Sequence, residues 1–387
     1  MNKIVSKGGA LALVMTACLA VYGSASAQPK PSPKKSASSG RVDHSFFFAG
    51  GDYANGPAGQ VMHGQIFVEK IAPARPRQRY PIVMIHGAAQ TATNWMGTPD
   101  GREGWAEYFV SQGYVVYLVD QPARGRSAWQ QGVDGKTSIF DAITVEKRFT
   151  ATEKYNIWPQ ARLHTQWPSN DPKRGQVGDP VFDQFYASQV PYVVDNAQAQ
   201  LPMRDAGAAL LDRIGPAIVM THSQSGPMGW LIGDARPKLV KAIVALEPAG
   251  PPFQDEVNDH DKARAWGVTD IPVAYDPAVT DPSQLQTELQ AQPDAVDLVP
   301  CRLQKGSAVH TLANLRDIRV MLVTTEASYH AVYDHCTARY LKQAGVNTDH
   351  IRLEAIGIHG NGHMLMLEKN NLQIAKVVTS WLGKNVK

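Results

Sequence analysis

Short runs of apolar residues that end at glycine or at a polar turn recur along the chain. Their continuous apolar character is typical of strands buried on both faces of a parallel sheet, and it predicts strands at residues 80–86, 114–120, 217–220, 239–246 and 319–324. Between them, apolar positions recur at helical spacing, most regularly from about Asn196 to Ile214. The alternation of strands with helices predicts an α/β fold whose sheet is mostly parallel and flanked by helices.

The two ends of this pattern differ from its middle. Near the start, Phe46–Phe48 and Gly64–Val68 are separated by a glycine-rich turn, which predicts an antiparallel hairpin. Near the end, we predict a last strand at Leu353–Ile358, followed by a closing helix with one apolar face formed by Ile374, Val377, Val378 and Trp381. One large domain over residues 43–387 accommodates all of these elements.

The first residues carry the features of a secretory signal. Lys3 and Lys7 precede an apolar run at residues 10–21, and the small-residue sequence Ala-Ser-Ala follows at residues 25–27. We therefore predict a signal peptide over residues 1–27. It would direct the protein to the periplasm or out of the cell.

The mature chain is predicted to begin with a flexible linker, because Pro, Lys and Ser dominate residues 28–42. Cys18 leaves open a lipoprotein alternative in which this cysteine is lipidated, although the Ala-Ser-Ala site lies further along the chain. Beyond the signal, no apolar run approaches the roughly 18 residues that a membrane-spanning helix needs. We expect an exported protein, periplasmic or secreted, with no stable membrane insertion after the signal is removed.

The charge of the chain argues against a nucleic-acid partner. Lys and Arg number 38 against 35 Asp and Glu, which gives a formal net charge of +3. Six of the basic residues lie within the first 41 residues, so the predicted domain holds 32 basic against 35 acidic residues. A nucleic-acid surface requires clustered positive charge, which this balance does not provide. The oligomeric state stays open at this level.

A serine in a tight turn is the strongest candidate for chemistry. Ser223 follows the apolar run at residues 217–220, and Thr221 and Ser225 flank it at a distance of two residues. Small residues are required there because the turn from strand to helix is too sharp for larger side chains. The pattern indicates a nucleophile, and an ordinary serine in a turn is the alternative interpretation.

The order of the features around this serine is informative. A strand ending at His86-Gly87 is followed by a helix, a second strand, the sequence Gln-Pro-Ala-Arg-Gly-Arg-Ser at residues 121–127, and the Ser223 turn. In this order the chain resembles the α/β-hydrolase superfamily over most of Phe46 to Leu382. The resemblance implies the α/β-hydrolase fold, a mostly parallel sheet flanked by helices with an inserted lid, and a site at the carboxyl ends of the strands.

The resemblance also assigns roles to individual residues. It implies that Ser223 is the nucleophile, that the backbone N–H groups of Ala88 and Gln224 form the oxyanion hole, and that a histidine of the last loop is the base. His363 matches the pattern better than His359 does. A metal site built from these two histidines is a weaker interpretation, because no compact set of further ligands stands out. We predict neither a metal nor a cofactor.

The third catalytic position requires an acid. Glu247 directly follows an apolar strand, 24 positions after Ser223. Most members of the superfamily instead take their acid after the next strand, where this chain has Ser328. We therefore predict that Glu247 orients the histidine. Glu326 and Asp334 remain alternatives, expected in an exposed loop and on a helix surface respectively.

Two stretches are longer than connections between these elements require. About 70 residues separate Ser127 from Asn196, and we predict that residues 128–195 form a lid. A second long stretch at residues 251–317, rich in Asp, Pro and Gln, is predicted to add to it. The first stretch contains aromatic side chains that can line an apolar pocket or pack the lid onto the core, together with one histidine: Trp129, Tyr155, Trp158, His164, Trp167, Phe182, Phe185, Tyr186 and Tyr192.

Only two cysteines remain after removal of the predicted signal. Cys301 lies in the second long stretch and Cys336 lies on the helix after the penultimate strand. Because an exported protein meets an oxidising compartment, we predict a disulfide between them, with two separate thiols as the alternative.

Together these features predict an exported serine hydrolase that cleaves carboxylic esters through a Ser-His-Glu triad and an acyl-enzyme. The His-Ser-Gln sequence at residues 222–224 and an acid directly after the sixth strand resemble a group of exported bacterial esterases. A glutamate at this place is also found in lactone-cleaving relatives, so the small-molecule partner is an ester or a lactone. A non-catalytic ligand-binding protein of the same fold and a peptidase are the alternatives.

Overall fold

The computed structural model describes residues 42–255, 262–307 and 309–386. The predicted signal peptide lies outside the described residues, as does the predicted linker except for Val42. No helix within these described ranges combines the length and the apolar character needed to cross a bilayer.

Eight strands form the central sheet, and their amino-acid composition explains their burial. The strands in the middle of the sheet consist almost wholly of apolar residues and are buried on both faces. In chain order the eight strands are β1 (Asp43–Ala49), β2 (Ile66–Ala72), β3 (Ile82–Ile85), β4 (Val116–Asp120), β5 (Ala217–His222), β6 (Val240–Leu246), β7 (Arg319–Thr324) and β8 (Thr348–Arg352).

The strands lie side by side in the order β1-β2-β4-β3-β5-β6-β7-β8. β2 pairs antiparallel with both β1 and β4, whereas β4, β3, β5, β6, β7 and β8 are parallel to one another. The predicted α/β fold with a mostly parallel sheet is therefore confirmed. In such a sheet the carboxyl ends of the parallel strands meet at one edge, where loops carry function.

Helices cover the sheet and fill the connections between strands. The α-helices are α1 (Thr93–Met96), α2 (Trp105–Ser111), α3 (Ala142–Val145), α4 (Thr152–Tyr155), α5 (Pro180–Tyr186), α6 (Asn196–Ile214), α7 (Ser225–Ala235), α8 (Asp334–Gln343) and α9 (Asn371–Asn385). A π-helix spans Glu146–Thr150, and 3₁₀ turns span Pro159–Leu163, Pro282–Gln284, Tyr329–Val332 and Leu353–Ile356.

Alternate residues of each strand enter two separate cores. In β5, Val219 packs into the core under α6, α7 and α8, whereas Ile218 and Met220 point into the core under α2 and α9. This alternation follows from the two-residue period of a strand. Burying both faces of the sheet holds the strand ends, and therefore the loops that follow them, in fixed relative positions.

The structure corrects the predicted ends of the sheet. The last strand was expected at Leu353–Ile358, but the chain forms β8 five residues earlier and then a 3₁₀ turn at Leu353–Ile356. β8 lies at the sheet edge, so its sequence Thr-Asp-His-Ile-Arg is polar and lacks the apolar run of a buried strand. At the other end, β1 and β2 form the predicted antiparallel pair, but an additional hairpin, Asp52–Gly56 with Gly59–His63, lies between them.

The two long stretches hold short elements. Residues 128–195 contain α3, the π-helix, α4, a 3₁₀ turn, α5 and a small ribbon of Thr137–Ser138 with Tyr192–Val193. Residues 251–317 contain two small ribbons, in one of which Thr287–Leu289 pairs with Arg302–Gln304. Next to that ribbon, Cys301 is joined by a disulfide to Cys336 on α8, with an S–S distance of 2.09 Å.

Candidate active site

Ser223 lies at the sharp turn between β5 and α7. Its φ is 56°, in the left-handed region that a residue with a side chain adopts only at an energetic cost. Its N–H donates to the carbonyl of Leu246 (3.1 Å), and its own carbonyl accepts from the N–H of Ala249 (2.9 Å). The strained residue is thus held by β6 and the loop after it, and it stays partly exposed at the carboxyl edge of the sheet.

Close packing explains the small residues around this turn. A Cβ atom on Gly226, in the first turn of α7, would lie 2.3 Å from the Cβ of Pro248. The hydroxyl of Ser225 accepts from the N–H of His222 and donates to the carbonyl of Ile85, each at 2.9 Å. The turn is therefore closely packed at Gly226, and the small side chain of Ser225 is held by hydrogen bonds within it.

Glu247 and His363 form a buried hydrogen-bonded pair. Nδ1 of His363 lies 2.6 Å from Oε2 of Glu247, and the two side chains are 1% and 0% exposed. Because Nδ1 faces a carboxylate, it carries the hydrogen of the neutral ring and donates it, which leaves Nε2 unprotonated. The imidazole can therefore accept a proton at Nε2.

The carboxylate of Glu247 has further donors. Oε1 accepts from the N–H of Thr325 (2.8 Å) and from its hydroxyl (2.6 Å), and Oε2 accepts from the hydroxyl of Ser328 (2.8 Å). Burial raises the pKa of Glu247, whereas His330 and the hydrogen bonds from Thr325 and Ser328 act in the opposite direction. These donors fix the carboxylate at the orientation that meets Nδ1 of His363.

Aromatic rings surround the imidazole of His363. The ring of His330 stacks on it at 4.8 Å with an interplanar angle of 3°, and Phe149 of the π-helix stacks on it at 5.4 Å and 27°. The ring of His222 lies 4.4 Å away, and its Nε2 is 3.0 Å from the carbonyl of His363. Burial, together with His330, lowers the pKa of His363 well below its ordinary value, so the ring is neutral at neutral pH.

The hydroxyl of Tyr329 links Ser223 and His363. It lies 3.3 Å from Nε2 of His363 and is also hydrogen-bonded to Ser223. Among the hydrogen bonds of the described residues, none joins Ser223 directly to His363. The hydroxyl of Tyr329 therefore contacts both Ser223 and His363.

The two alternative acids take other partners. Glu326 accepts from His359 at 3.0 Å and from the N–H of Gly360 at 2.8 Å, near the surface. Asp334, expected on a helix surface, is instead fully buried at the start of α8, where it accepts from His330 (2.9 Å) and the hydroxyl of Thr324 (2.8 Å). These hydrogen bonds satisfy a carboxyl group that burial alone would destabilise.

A second buried carboxylate holds the loop that carries His363. Glu368 accepts from the N–H of Gly362 at 3.0 Å and from the side-chain amide of Asn361 at 2.7 Å. His164, from the stretch 128–195, places Nε2 at 2.7 Å from Glu368 and Nδ1 at 3.2 Å from Glu153. Burial alone lowers the pKa of His164, but the two carboxylates outweigh it and raise this pKa to about 9. A protonated His164 therefore anchors the histidine loop.

The predicted oxyanion groups lie beside the serine. A Cβ added to Gly87 would be 3.0 Å from the Cβ of Ser223, so the Gly87–Ala88 peptide packs directly against Ser223. Gln224 follows Ser223 and precedes α7, at the positive end of the helix dipole. Within the described part of the chain, neither the Ala88 nor the Gln224 N–H donates to another protein group.

One set of possible metal ligands coincides with this site. Ligand atoms of Glu247, His330 and His363 lie within 4.8 Å of one another. However, His330 uses one nitrogen for Asp334 and the other for the hydroxyl of Tyr333 (3.1 Å), and Nδ1 of His363 is used for Glu247. Their lone pairs and hydrogens are therefore committed to a hydrogen-bond network.

Comparison with known proteins identifies the family. Residues 82–377 match the alpha/beta hydrolase family. The chain is also 48% identical over 354 residues to a probable secreted lipase, phiG, of a fungus (Fungal sp., strain ATCC 74256), which covers 91% of this chain and 92% of that protein. The chain belongs to the alpha/beta hydrolase family.

A solved structure agrees with this assignment at the level of the fold. A novel bacterial esterase superposes on this alpha/beta hydrolase with a TM-score of 0.60 at 23% identity, over 92% of this chain and 100% of that one. The predicted superfamily is therefore confirmed.

Several residues of the alpha/beta hydrolase site were not predicted from the sequence. Tyr329, His330 and Phe149 contact His363, and Glu368 holds its loop, but no spacing links them to it. The one available signal was Ser328. It stands at the customary position of the acid, which favours a place near the histidine of the last loop for the residues directly after it, Tyr329 and His330.

Proposed function

We propose that this protein is an exported serine hydrolase that cleaves carboxylic esters. Ser223 is the nucleophile, His363 the general base, Glu247 the acid that orients it, and the N–H groups of Ala88 and Gln224 the oxyanion hole. The observation that carries the proposal is the buried 2.6 Å hydrogen bond between Glu247 and His363, at the same sheet edge where Ser223 lies partly exposed in a strained turn.

The reaction follows from these positions. Nε2 of His363 takes the hydroxyl proton while Oγ of Ser223 bonds to the acyl carbon, and the carbonyl π electrons move to the oxygen, which the two N–H groups bind. The oxyanion collapses, the bond to the alcohol oxygen breaks, and His363 returns the proton to the leaving alkoxide. Water, deprotonated by the same Nε2, then bonds to the acyl carbon, the bond to Oγ of Ser223 breaks, and His363 returns the proton to Oγ as the acid leaves.

Tyr329 sets a condition on the first step. Its hydroxyl lies 3.3 Å from Nε2 of His363, the nitrogen that has to take the serine proton, and is also hydrogen-bonded to Ser223. Hydrogen bonds of a catalytic site commonly tighten only when substrate is bound. We infer that an ester displaces this hydroxyl and lets Ser223 contact His363 directly.

The substrate class rests on the relatives. The protein that is 48% identical is named as a probable secreted lipase, which supports ester hydrolysis and export. Lactones remain a second candidate, because ring opening of a cyclic ester uses the same steps. A panel of short-chain, long-chain and aryl esters with macrocyclic lactones would separate the two.

The surroundings of the site support a lid at residues 128–195. Phe149 stacks on His363, and the N–H of Val190 donates to the carbonyl of Ala89, beside the oxyanion loop, at 2.9 Å. We propose that this stretch covers the acyl site.

Export is expected to remove residues 1–27. The mature protein would then begin at Gln28, and N-terminal sequencing of exported protein tests this.

The catalytic proposal is tested by covalent labelling. A fluorophosphonate should modify Ser223 and abolish ester hydrolysis, and Ser223→Ala should neither label nor turn over. Ser380→Ala, an exposed serine on α9, is the matched control and should behave like the wild type. A folded wild-type protein that resists labelling and binds esters without hydrolysing them would instead indicate a ligand-binding protein.

A further inference from the structure

Arg124 is a buried cation beside the predicted oxyanion groups. It lies in the loop after β4, and its side chain is only 3% exposed. Its backbone is fixed by reciprocal hydrogen bonds with Ser127, at 2.7 and 2.8 Å. Burial lowers the pKa of Arg124 to about 10, so the guanidinium remains charged at neutral pH.

The guanidinium joins the two loops that supply the oxyanion donors. Nη1 donates to the carbonyl of Gly87 at 2.9 Å, and Nη2 donates to the side-chain oxygen of Gln224 at 3.1 Å. Both partners are neutral, and Nε has no partner among the described residues. The neighbouring carboxylate of Asp120 is engaged by Arg126 and by the N–H of Ala92.

The contact with Gly87 acts on one of the proposed donors directly. The carbonyl of Gly87 and the N–H of Ala88 belong to one peptide group, and a hydrogen bond accepted by the carbonyl polarises the N–H at its other end. A charged donor makes such a bond shorter and stronger than a neutral one. The N–H of Ala88 is thereby both oriented and made a better donor.

His86 supports the same carbonyl from the other side. Its Nε2 accepts from the N–H of Gln121 at 3.1 Å, so its hydrogen is on Nδ1, which lies 2.9 Å from the carbonyl of Gly87. Burial and the charge of Arg124 lower the pKa of His86 to about 3, which keeps the ring neutral. The Gly87–Ala88 peptide is thus held by two donors, of which Arg124 alone is charged.

We propose that Arg124 is a positioning residue that holds the Ala88 and Gln224 N–H groups in register and strengthens them as the oxyanion forms. This role rests on the proposed serine-hydrolase mechanism. Its charge is bound to the Gly87 carbonyl and the Gln224 side chain, so it acts on the oxyanion through the two N–H donors, and the neutral ester gives it no charge to bind. The benefit therefore falls on the transition state rather than on substrate binding.

The expected loss of kcat can be judged from the cost of removing an oxyanion-hole donor. Removing one donor outright costs about 10²–10³-fold in kcat. Arg124 acts through the donors rather than touching the oxyanion, so we expect Arg124→Met to lower kcat by roughly 10- to 100-fold with KM changed by less than about threefold. Arg124→Lys keeps the charge but not the two-pronged geometry, and should fall between Arg124→Met and the wild type.

A trifluoromethyl ketone distinguishes this role from a structural one. The ketone reacts with the serine hydroxyl and places an alkoxide in the oxyanion hole. The corresponding methyl carbinol has no carbonyl group, so it binds without forming an alkoxide. For Arg124→Met, the inhibition constant of the ketone should rise by the same factor by which kcat/KM falls, with carbinol binding unchanged. Arg126→Met, which removes the neighbouring guanidinium bound to Asp120 and Glu69, is the matched control and should leave the ketone-to-carbinol ratio intact.

The outcomes separate this inference from the underlying mechanism. Two results for Arg124→Met would overturn the role of Arg124. One is an equal loss of affinity for the ketone and the carbinol, and the other is a kcat within twofold of the wild-type value. If Arg124→Met does not fold, Gln224→Met removes one anchor of Arg124 while keeping the Gln224 N–H, and a kcat loss without a KM change is again expected. Failure of the fluorophosphonate to label wild-type Ser223 would instead overturn the mechanism itself.

Discussion

Ser328 donates its hydroxyl to Oε2 of Glu247 at a distance of 2.8 Å. The serine stands where most members of the family have their catalytic acid, and it touches the carboxylate that we propose in that role. The loop after β7 thus still reaches the pair of Glu247 and His363, but it contributes a hydrogen-bond donor. The proposed acid directly follows the adjacent strand β6.

Replacing Glu247 by glutamine should lower kcat by at least about 10²-fold while the protein stays folded, since the comparable change in a serine protease costs about 10⁴-fold. The amide removes the charge that stabilises the imidazolium and permits the wrong tautomer of His363. Steady-state kinetics with a chromogenic ester, and circular dichroism for folding, provide the measurement.

The alternative acids provide the controls for this substitution. Glu326→Gln disrupts near-surface contacts with His359 and the N–H of Gly360 and should cost much less activity. Asp334→Asn should act mainly on stability, because Asp334 is hydrogen-bonded to His330 and not to His363. The assignment of Glu247 would be refuted if the Glu247→Gln variant kept near-normal turnover while either control variant lost its turnover.

The pH dependence of kcat/KM should report the lowered pKa of His363. The base must be neutral, so activity should rise with pH as His363 loses its proton. Because burial and His330 lower this pKa, the rise should lie below about 6.5, the ordinary histidine value, and the rate should be flat at higher pH. A midpoint above 7 would show that the ring is not desolvated as the structure has it.

Stability should fall in mild alkali because of His164. Its pKa is about 9 in the folded protein and near 6.5 when unfolded, so its stabilising effect is complete below about pH 6.5 and is lost as pH rises through 9. Urea unfolding at pH 6 and 9.5 should show a loss on the order of 1–3 kcal/mol from this group.

Substitution isolates that contribution. His164→Gln should lower the free energy of unfolding at pH 6 and flatten its alkaline dependence, because the variant has no proton to lose there. His359→Gln, which removes an exposed histidine paired with Glu326, is the matched control and should keep the wild-type slope. An unchanged slope in His164→Gln would contradict a charged His164.

Reduction of the disulfide should destabilise the domain. The bond closes a loop with a sequence separation of 35, for which the chain-entropy estimate is about 3–4 kcal/mol. The melting temperature should fall in reductant while the fluorophosphonate still labels Ser223. Two titratable thiols in native, unreduced protein would exclude the bond between Cys301 and Cys336.

Elements with a local signature were predictable. α6 and β7 have the predicted bounds, because helical spacing and a continuous apolar run both record burial directly in the sequence. The hairpin Asp52–Gly56 with Gly59–His63 was missed because it is largely exposed and therefore carries no apolar periodicity. β8 was misplaced for a related reason, since an edge strand needs fewer apolar residues.

The candidate site was most predictable where it follows strands. Ser223 and Glu247 come directly after buried strands, so their meeting at one sheet edge follows from the topology. Arg124 and Tyr329 act through contacts between segments far apart in the sequence, which no local pattern records. Asp334 shows the limit most clearly, since a charged residue at the start of a helix is expected in solvent until its hydrogen-bond partners are known.

The pairing of His164 with Glu368 constrains how relatives of this protein can be recombined. A chimera that exchanges residues 128–195 for a shorter connection would leave Glu368 buried beside the histidine loop without its counter-charge. The carboxylate would then lack its hydrogen bond from His164, and the N–H of Gly362 would lose a fixed acceptor. An exchange of this stretch that is meant to transfer substrate preference therefore has two workable forms. The incoming segment keeps a histidine in the place of His164, or Glu368 is replaced by a neutral residue at the same time.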